Sequence, residues 1–241
     1  RVHAQAIAVT PVPPPDLRAD LYPMPNGIMG HRGFTYQPRP LFVSYAAYTP
    51  RLLELNANRL RSSPPPAVLF DVYTIDRRLP SLQDGMSWPI LLTNYSLAGR
   101  LGENVLLTRR AMPSAAMLTR TLTRRAQLGE KIRVSAGDHL MFARFTIDLT
   151  SGGRVASLLY KVPPLRIRVG LDDGTEQSFR FVRGIGEREF LLSPLIENSN
   201  AFASLFTRDT NLWRRVVWFA IVPTTPTSAY EPSYRVELLR L

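Results

Sequence analysis

Apolar positions along this chain fall mostly in alternation, with helical spacing in only a few stretches. Leu165, Ile167, Val169 and Leu171 alternate with Arg166, Arg168 and Gly170, the period of a strand with one buried face. Asp173-Gly174 follows, a pair suited to the positive φ of a tight reversal, and 176–183 alternates again, so a hairpin is predicted. Met141, Ala143, Phe145, Ile147 and Leu149 mark one face of a strand over 139–149. A strand over 131–135 precedes it, across Ala136-Gly137-Asp138. Residues 67–74, 104–109, 188–192, 214–222 and 234–241 are further predicted strands. The 214–222 segment is apolar on both faces, which places it centrally in a sheet.

Helices are fewer. Thr49 is a preferred N-cap, Pro50 fits the first helical position, and Leu52, Leu53, Leu55, Asn56 and Leu60 make a helical stripe that the prolines at 64–66 end. Residues 81–102 read as loop with one helix, capped by Ser87 and carrying Trp88 and Pro89 in its first turn. A short helix led by Asn198 or Ser199 is predicted over 198–207. Pro11, Pro13, Pro14 and Pro15, followed by Pro23, Pro25, Pro38 and Pro40, make residues 1–40 read as an extended linker or strap. The expected fold class is therefore mainly β: an antiparallel β-sandwich or jelly roll with a few short helices, forming one domain over 41–241. A finer division sets a mixed α/β part at 41–118 and the sandwich at 119–241. The 21 prolines fit short strands joined by turns and oppose a helical protein.

Composition narrows the setting. The 241 residues are 45% hydrophobic and 20% charged, enough to build a core without covalent staples. There is no cysteine, which excludes disulfides, thiolate metal sites and cysteine nucleophiles. The net charge of +11 raises the question of nucleic acid. Lys131 and Lys161 are the only lysines among 30 basic residues, and the arginines are dispersed and often alternate with apolar positions. No basic run with interleaved aromatics is present, so nucleic acid is not the expected partner. The longest apolar stretch, Val216 to Val222, falls far short of the ~20 residues that span a bilayer. The chain opens at Arg1 and not at Met, which predicts a segment upstream.

Candidate chemistry is sparse. His3, His31 and His139 are far apart and lack metal spacing, so no metal and no cofactor is expected. No nucleophile elbow occurs, and Gly184-Ile185-Gly186 runs into Glu187 without the third glycine of a dinucleotide loop. Asp71, Asp76, Asp84, Glu187 and Glu197 are the carboxylates to weigh for paired acid–base work, with Asp71, Asp76 and Glu197 as the catalytic candidates. Arg77 and Arg78 beside Asp76 favour a salt bridge over a general acid. Tyr45, Tyr48, Tyr73, Trp88 and Tyr95 gather in the first part of the chain. Such rings more often fill cores, yet exposed ones stack on sugar faces. The ligand-binding candidates are Tyr45, Tyr48, Trp88, Asp76 and Arg77.

Several segments together carry a resemblance. They are Arg39 through Pro50 (RPLFVSYAAYTP) with Leu55-Asn56 after it, Ile75-Asp76-Arg77, Ser87-Trp88-Pro89 with Leu91-Leu92, and Leu191 through Asn198 (LLSPLIEN). This set resembles the soluble C-terminal region of bacterial polytopic membrane proteins, some with a glycosyltransferase-like transmembrane plan. The resemblance covers roughly residue 35 onward. It implies an extracytoplasmic, periplasmic-side location, tethered to a membrane through sequence outside this chain, and it carries over no catalytic residue. The expected function is a non-catalytic domain that binds glycan or supports a membrane-embedded part. The alternative is a carbohydrate-active enzyme on a β-sandwich using paired carboxylates. A third reading, anionic-polymer binding driven by charge, predicts affinity that falls steeply with salt.

Overall fold

In a computed structural model, the structure describes residues 9–10, 15–25, 27–30, 32–115, 117–135, 137–160 and 162–241. Strand takes 37% of the residues and helix 25%, so the chain is mostly β. Among the described residues the strands form three sheets, one mixed and two antiparallel, where the pattern predicts two. The chain divides into two compact units. The first is Arg1–Tyr73, Met86–Met117 and Ile196–Trp213; the second is Thr74–Gly85, Leu118–Leu195 and Arg214–Leu241.

The first unit holds a six-stranded mixed sheet. Its strands are β1 (Val9–Thr10), β2 (Leu17–Tyr22), β3 (Phe34–Tyr36), β4 (Ala67–Phe70), β5 (Tyr95–Leu101) and β6 (Asn104–Arg109), in the order β1-β5-β6-β4-β2-β3. β2 runs parallel to β3 and β4, while β6 is antiparallel to β4 and β5. Helix α1 (Pro50–Ser62) connects β2's side of the sheet to β4, the crossover that a parallel pair requires. The linker expected over 1–40 therefore needs correction. Leu17–Tyr22 is an interior strand whose last four residues are buried. The expectations for Pro11, Pro13 and Pro14 lie outside the described residues.

Alternation along β2 divides its side chains between two faces. Ala19 and Leu21 join Ala67, Leu69, Leu101 and Leu106 in a closed apolar cluster. Asp20 and Tyr22 point the other way. There the Tyr22 and Phe70 rings stack 5.7 Å apart, and Phe70 stacks at 3.8 Å on Phe202 of α5 (Ser199–Thr207). Trp88 of α2 (Ser87–Asn94) meets both Phe70 and Phe202 edge-on.

Local chemistry explains the helices. The Thr49 hydroxyl accepts the Leu52 N–H, with Pro50 just inside, as the sequence predicts. Leu53, Asn56, Ala57 and Leu60 form its buried face, and Leu55 of the predicted stripe is exposed. Asn198 caps α5 by accepting the Ala201 N–H at 2.9 Å. α2 starts at Ser87 with Met86 in the cap position and no side-chain cap bond, so Ser87 is the first helical residue and not the expected cap, and the loop expected before residue 102 contains β5.

The second unit holds two four-stranded antiparallel sheets. One has the order β11-β10-β13-β8, from β8 (Ile132–Arg133), β10 (Leu165–Leu171), β11 (Glu176–Phe181) and β13 (Val216–Pro223). The other has the order β12-β9-β14-β7, from β7 (Thr119–Gln127), β9 (Met141–Thr146), β12 (Phe190–Ser193) and β14 (Ser233–Arg240). β13, apolar on both faces, is interior as expected. The β10–β11 hairpin is in register from Leu165↔Phe181 to Gly170↔Glu176. Of the Asp173-Gly174 pair only Gly174 takes positive φ, at 82°, the arrangement of a turn closed by a single left-handed glycine. Phe145 of β9 lies 5.0 Å from Phe219 of β13 and 5.6 Å from Phe181 of β11, so these rings join residues of the two sheets. Two helices complete the unit: α3 (Ser151–Leu159) and the single turn α4 (Arg183–Gly186). Neither was predicted. No described helix is long and apolar enough to cross a membrane.

Candidate functional site

The segment from Arg39 to Tyr48 leaves the first unit's sheet and has no ladder of its own to hold it. Two buried side chains hold it instead. The Arg39 guanidinium lies beneath it, beside Asp20, with an Nη1–Oδ1 distance of 3.1 Å, and 3.5 Å over the Tyr22 ring. It also donates to the carbonyls of Leu21 (2.7 Å), Pro23 (2.9 Å) and Phe42 (3.2 Å) and to the Ser44 hydroxyl (2.8 Å). Asn56 of α1 supplies the second fixture. Its amide accepts the Leu41 N–H at 2.9 Å and donates to the Leu41 carbonyl at 3.1 Å. The Ser44 N–H bonds the Pro23 carbonyl at 2.7 Å, and a tight turn over Ser44–Ala46 follows.

The result is a rigid backbone carrying aromatic rings on its outer side. Phe42 is 51% exposed, Tyr48 45%, and Tyr45 is half-buried. Fixed, partly exposed rings present apolar area without the entropy cost of ordering a mobile loop. Hydrogen bonds to a charged donor contribute roughly 1.5–3 kcal/mol each, so the Arg39 set is a strong constraint. The electrostatics are those of a buried pair. Burial pushes the Asp20 carboxyl above its ordinary value, and the Arg39 charge and the Leu21 N–H oppose that shift. Burial, then the Asp20 charge, pushes the Tyr36 phenol up to about 12.

The other candidates from the sequence fall elsewhere. Trp88 is 1% exposed and packed edge-on against both Phe70 and Phe202, so its ring has no face to offer a ligand. Tyr95 is buried and donates to the Pro65 carbonyl at 2.8 Å, while Tyr73 is exposed. Asp71 accepts the Ser199 hydroxyl at 2.9 Å. Glu197 is exposed just before α5. In the second unit, Asp76 and Arg77 are both left-handed, with φ of 54° and 53°. Asp76 receives Arg180 at 2.6 Å and lies 3.7 Å from Arg78. The Arg77 carbonyl accepts the Arg180 N–H. Asp76-Arg77 is thus a turn fastened to β11. Glu187 lies 3.5 Å from Arg183, and Asp84 is fully buried. His139 is exposed; His3 and His31 lie outside the described residues. No cluster of three metal-ligating side chains occurs among the described residues.

The second unit also has an open groove of about 820 Å³, lined among others by Leu158, Tyr160, Pro163, Phe181, Arg180 and Arg183. Among the described residues its lining has aliphatic, aromatic and cationic side chains and no carboxylate or imidazole.

The sequence singles out Tyr45 and Tyr48 as candidates but not Phe42, Arg39, Asp20 or Asn56 beside them. One signal was available. Asn56 sits on the apolar stripe of α1, and a polar side chain on a buried face needs a hydrogen-bond partner. Nothing local marks Asp20 as that arginine's partner, because the two meet only when β2 enters the sheet. The chain matches no protein-family model and no curated protein.

Proposed function

We propose that this chain is a non-catalytic, glycan-binding domain of a bacterial membrane protein, working on the extracytoplasmic side, with Phe42, Tyr45 and Tyr48 as its sugar-facing platform. The observation that carries the reading is the backbone beneath those rings, held by Arg39 and Asn56. Rings on a pre-set backbone stack on the apolar faces of sugars, and neighbouring backbone and hydroxyl groups select orientation. The engaged carboxylates support binding over cleavage. Asp76 is held by arginine and Asp71 by Ser199, whereas glycoside hydrolysis needs one acid kept protonated opposite a second. The resemblance of the Arg39–Pro50 segment supports the membrane-protein setting. We read the second unit as a β-sandwich, supported by the Phe145 ring set spanning its two sheets.

Titration calorimetry against a panel of cell-envelope oligosaccharides tests the reading. Heat of binding is expected for at least one glycan, with no reducing ends released. Tyr48→Ala and Phe42→Ala are each expected to weaken that binding about tenfold or more, the scale of one lost stacked ring. Flat titrations across the panel, or unchanged affinity in both variants, would overturn it.

A further inference from the structure

Helix α3 is built inside out. A surface helix normally turns its apolar stripe toward the core. Here Val155, Leu158 and Leu159, at i, i+3 and i+4 on one side, are 61%, 84% and 73% exposed. The side turned to the protein is small. Gly153 is the one buried residue, so close to the chain that an added Cβ would lie 2.0 Å from the Ala229 carbonyl oxygen. The N-terminal turn is anchored as well: Thr150 accepts the Gly153 N–H at 3.0 Å and donates to the Ser228 carbonyl at 2.8 Å. The helix is therefore firmly placed, with its oily face outward. Tyr160, also exposed, extends that face past the last turn.

Cations predominate along the helix and the segment after it. Between Asp148 and Asp172 the sequence has Arg154, Lys161, Arg166 and Arg168 and no Asp or Glu, and of these Arg168 is paired with Glu176 at 2.6 Å. Arg154 and Arg166 hydrogen-bond to neutral groups, the Leu149 carbonyl and Ser178. Arg183, on the groove beside Leu158 and Tyr160, adds a further cation, near Glu187.

We propose that α3 seats its Val155–Leu158–Leu159 face in an anionic lipid surface, with Tyr160 at headgroup depth and Arg154 and Arg166 on lipid phosphates. An apolar helical face bordered by cations is the composition of an interfacial helix. The same charge disfavours a second copy as occupant, since self-association would bring together two chains of net charge +11. The inference goes beyond glycan recognition and stands on the second unit alone.

Flotation with phosphatidylcholine vesicles, with and without phosphatidylglycerol, tests it. The protein is expected to float with the anionic vesicles and to remain behind with neutral ones. L158E/L159E is expected to abolish flotation, and Arg154→Glu to weaken it about fivefold or more. The thermal melt of L158E/L159E should be unchanged, because both side chains are exposed. Leu158→Trp should show a blue-shifted emission with anionic vesicles only. Absence of flotation with either vesicle, or flotation of L158E/L159E like the parent, overturns the proposal. So does equal flotation with neutral vesicles. A sedimenting dimer that dissociates in L158E/L159E, without lipid binding, would assign the face to self-association and overturn it too. A chain that floats but binds no glycan removes the glycan reading and leaves this one intact.

Discussion

Replacing Arg39 by methionine is expected to be among the most damaging single changes in the first unit. It leaves Asp20, 1% exposed, without its ion-pair partner and strips donors from the Leu21 and Pro23 carbonyls. Breaking a buried pair from one side costs about 3–5 kcal/mol, a large share of the roughly 5–15 kcal/mol that holds a domain folded. The loss should depend on pH. Burial already raises the Asp20 pKa, and Arg39 is the chief opposing influence, so its removal raises the pKa further. A raised folded-state pKa means that the fold favours the protonated acid. That contribution is whole below the unfolded value of about 3.9 and is lost as pH rises through the folded value. Relative to the parent, Arg39→Met should therefore be hurt least near pH 4 and most at neutral pH. Urea unfolding followed by tryptophan fluorescence, with Trp88 and Trp213 as buried reporters in this unit, measures it across that range. The double variant Asp20→Leu/Arg39→Met should recover part of the loss, since no buried charge remains. A deficit below about 1 kcal/mol, or one that does not change with pH, would refute the reasoning.

Three further outcomes follow from the same contacts. Trp88→Ala should cost about 3–5 kcal/mol of stability in a denaturant melt, as for other buried aromatics, and leave glycan affinity of the folded fraction unchanged. Gly153→Ala should loosen α3, because the new methyl meets backbone at Ala229; faster amide exchange over 151–159 is the readout, with a stability loss of about 1–3 kcal/mol. In an ultraviolet phenol titration, Tyr36→Phe should remove part of the late-titrating absorbance. The Tyr36 phenol is neutral in the fold up to about 12, so its contribution to stability is present below pH ~10 and lost as pH rises through ~12.

The elements that could be read from sequence are those whose cause is local. α1 is set by Thr49, Pro50 and the prolines after it, and the β10–β11 hairpin by alternation around Gly174. α5 is set by Asn198. What could not be read depends on distant partners. β2 lies in a proline-rich stretch that looks like a linker, and only its neighbours β3 and β4 make Leu17–Tyr22 an interior strand. α3 begins Ser-Gly-Gly, which reads as a turn, and becomes a helix because Thr150 caps it and Gly153 fits against Ala229. The return of Ile196–Trp213 to the first unit has no local mark either. The same division runs through the candidate site. Tyr45 and Tyr48 stand out as aromatics in sequence. Their support comes from Asp20, Arg39 and Asn56, which are 36 residues apart at the extremes and are brought together by the sheet and α1. Trp88 looked similar in sequence, and packing against Phe70 and Phe202 makes it core.

Amide chemical-shift mapping with the best-binding oligosaccharide tests the central claim most directly. Shifts confined to residues 41–48 and the adjoining face of α1, with the sugar intact at the end of the titration, are the expected result. Shifts that leave 41–48 untouched, or a sugar cleaved during the experiment, would contradict a clamped aromatic platform that holds glycan without reacting with it.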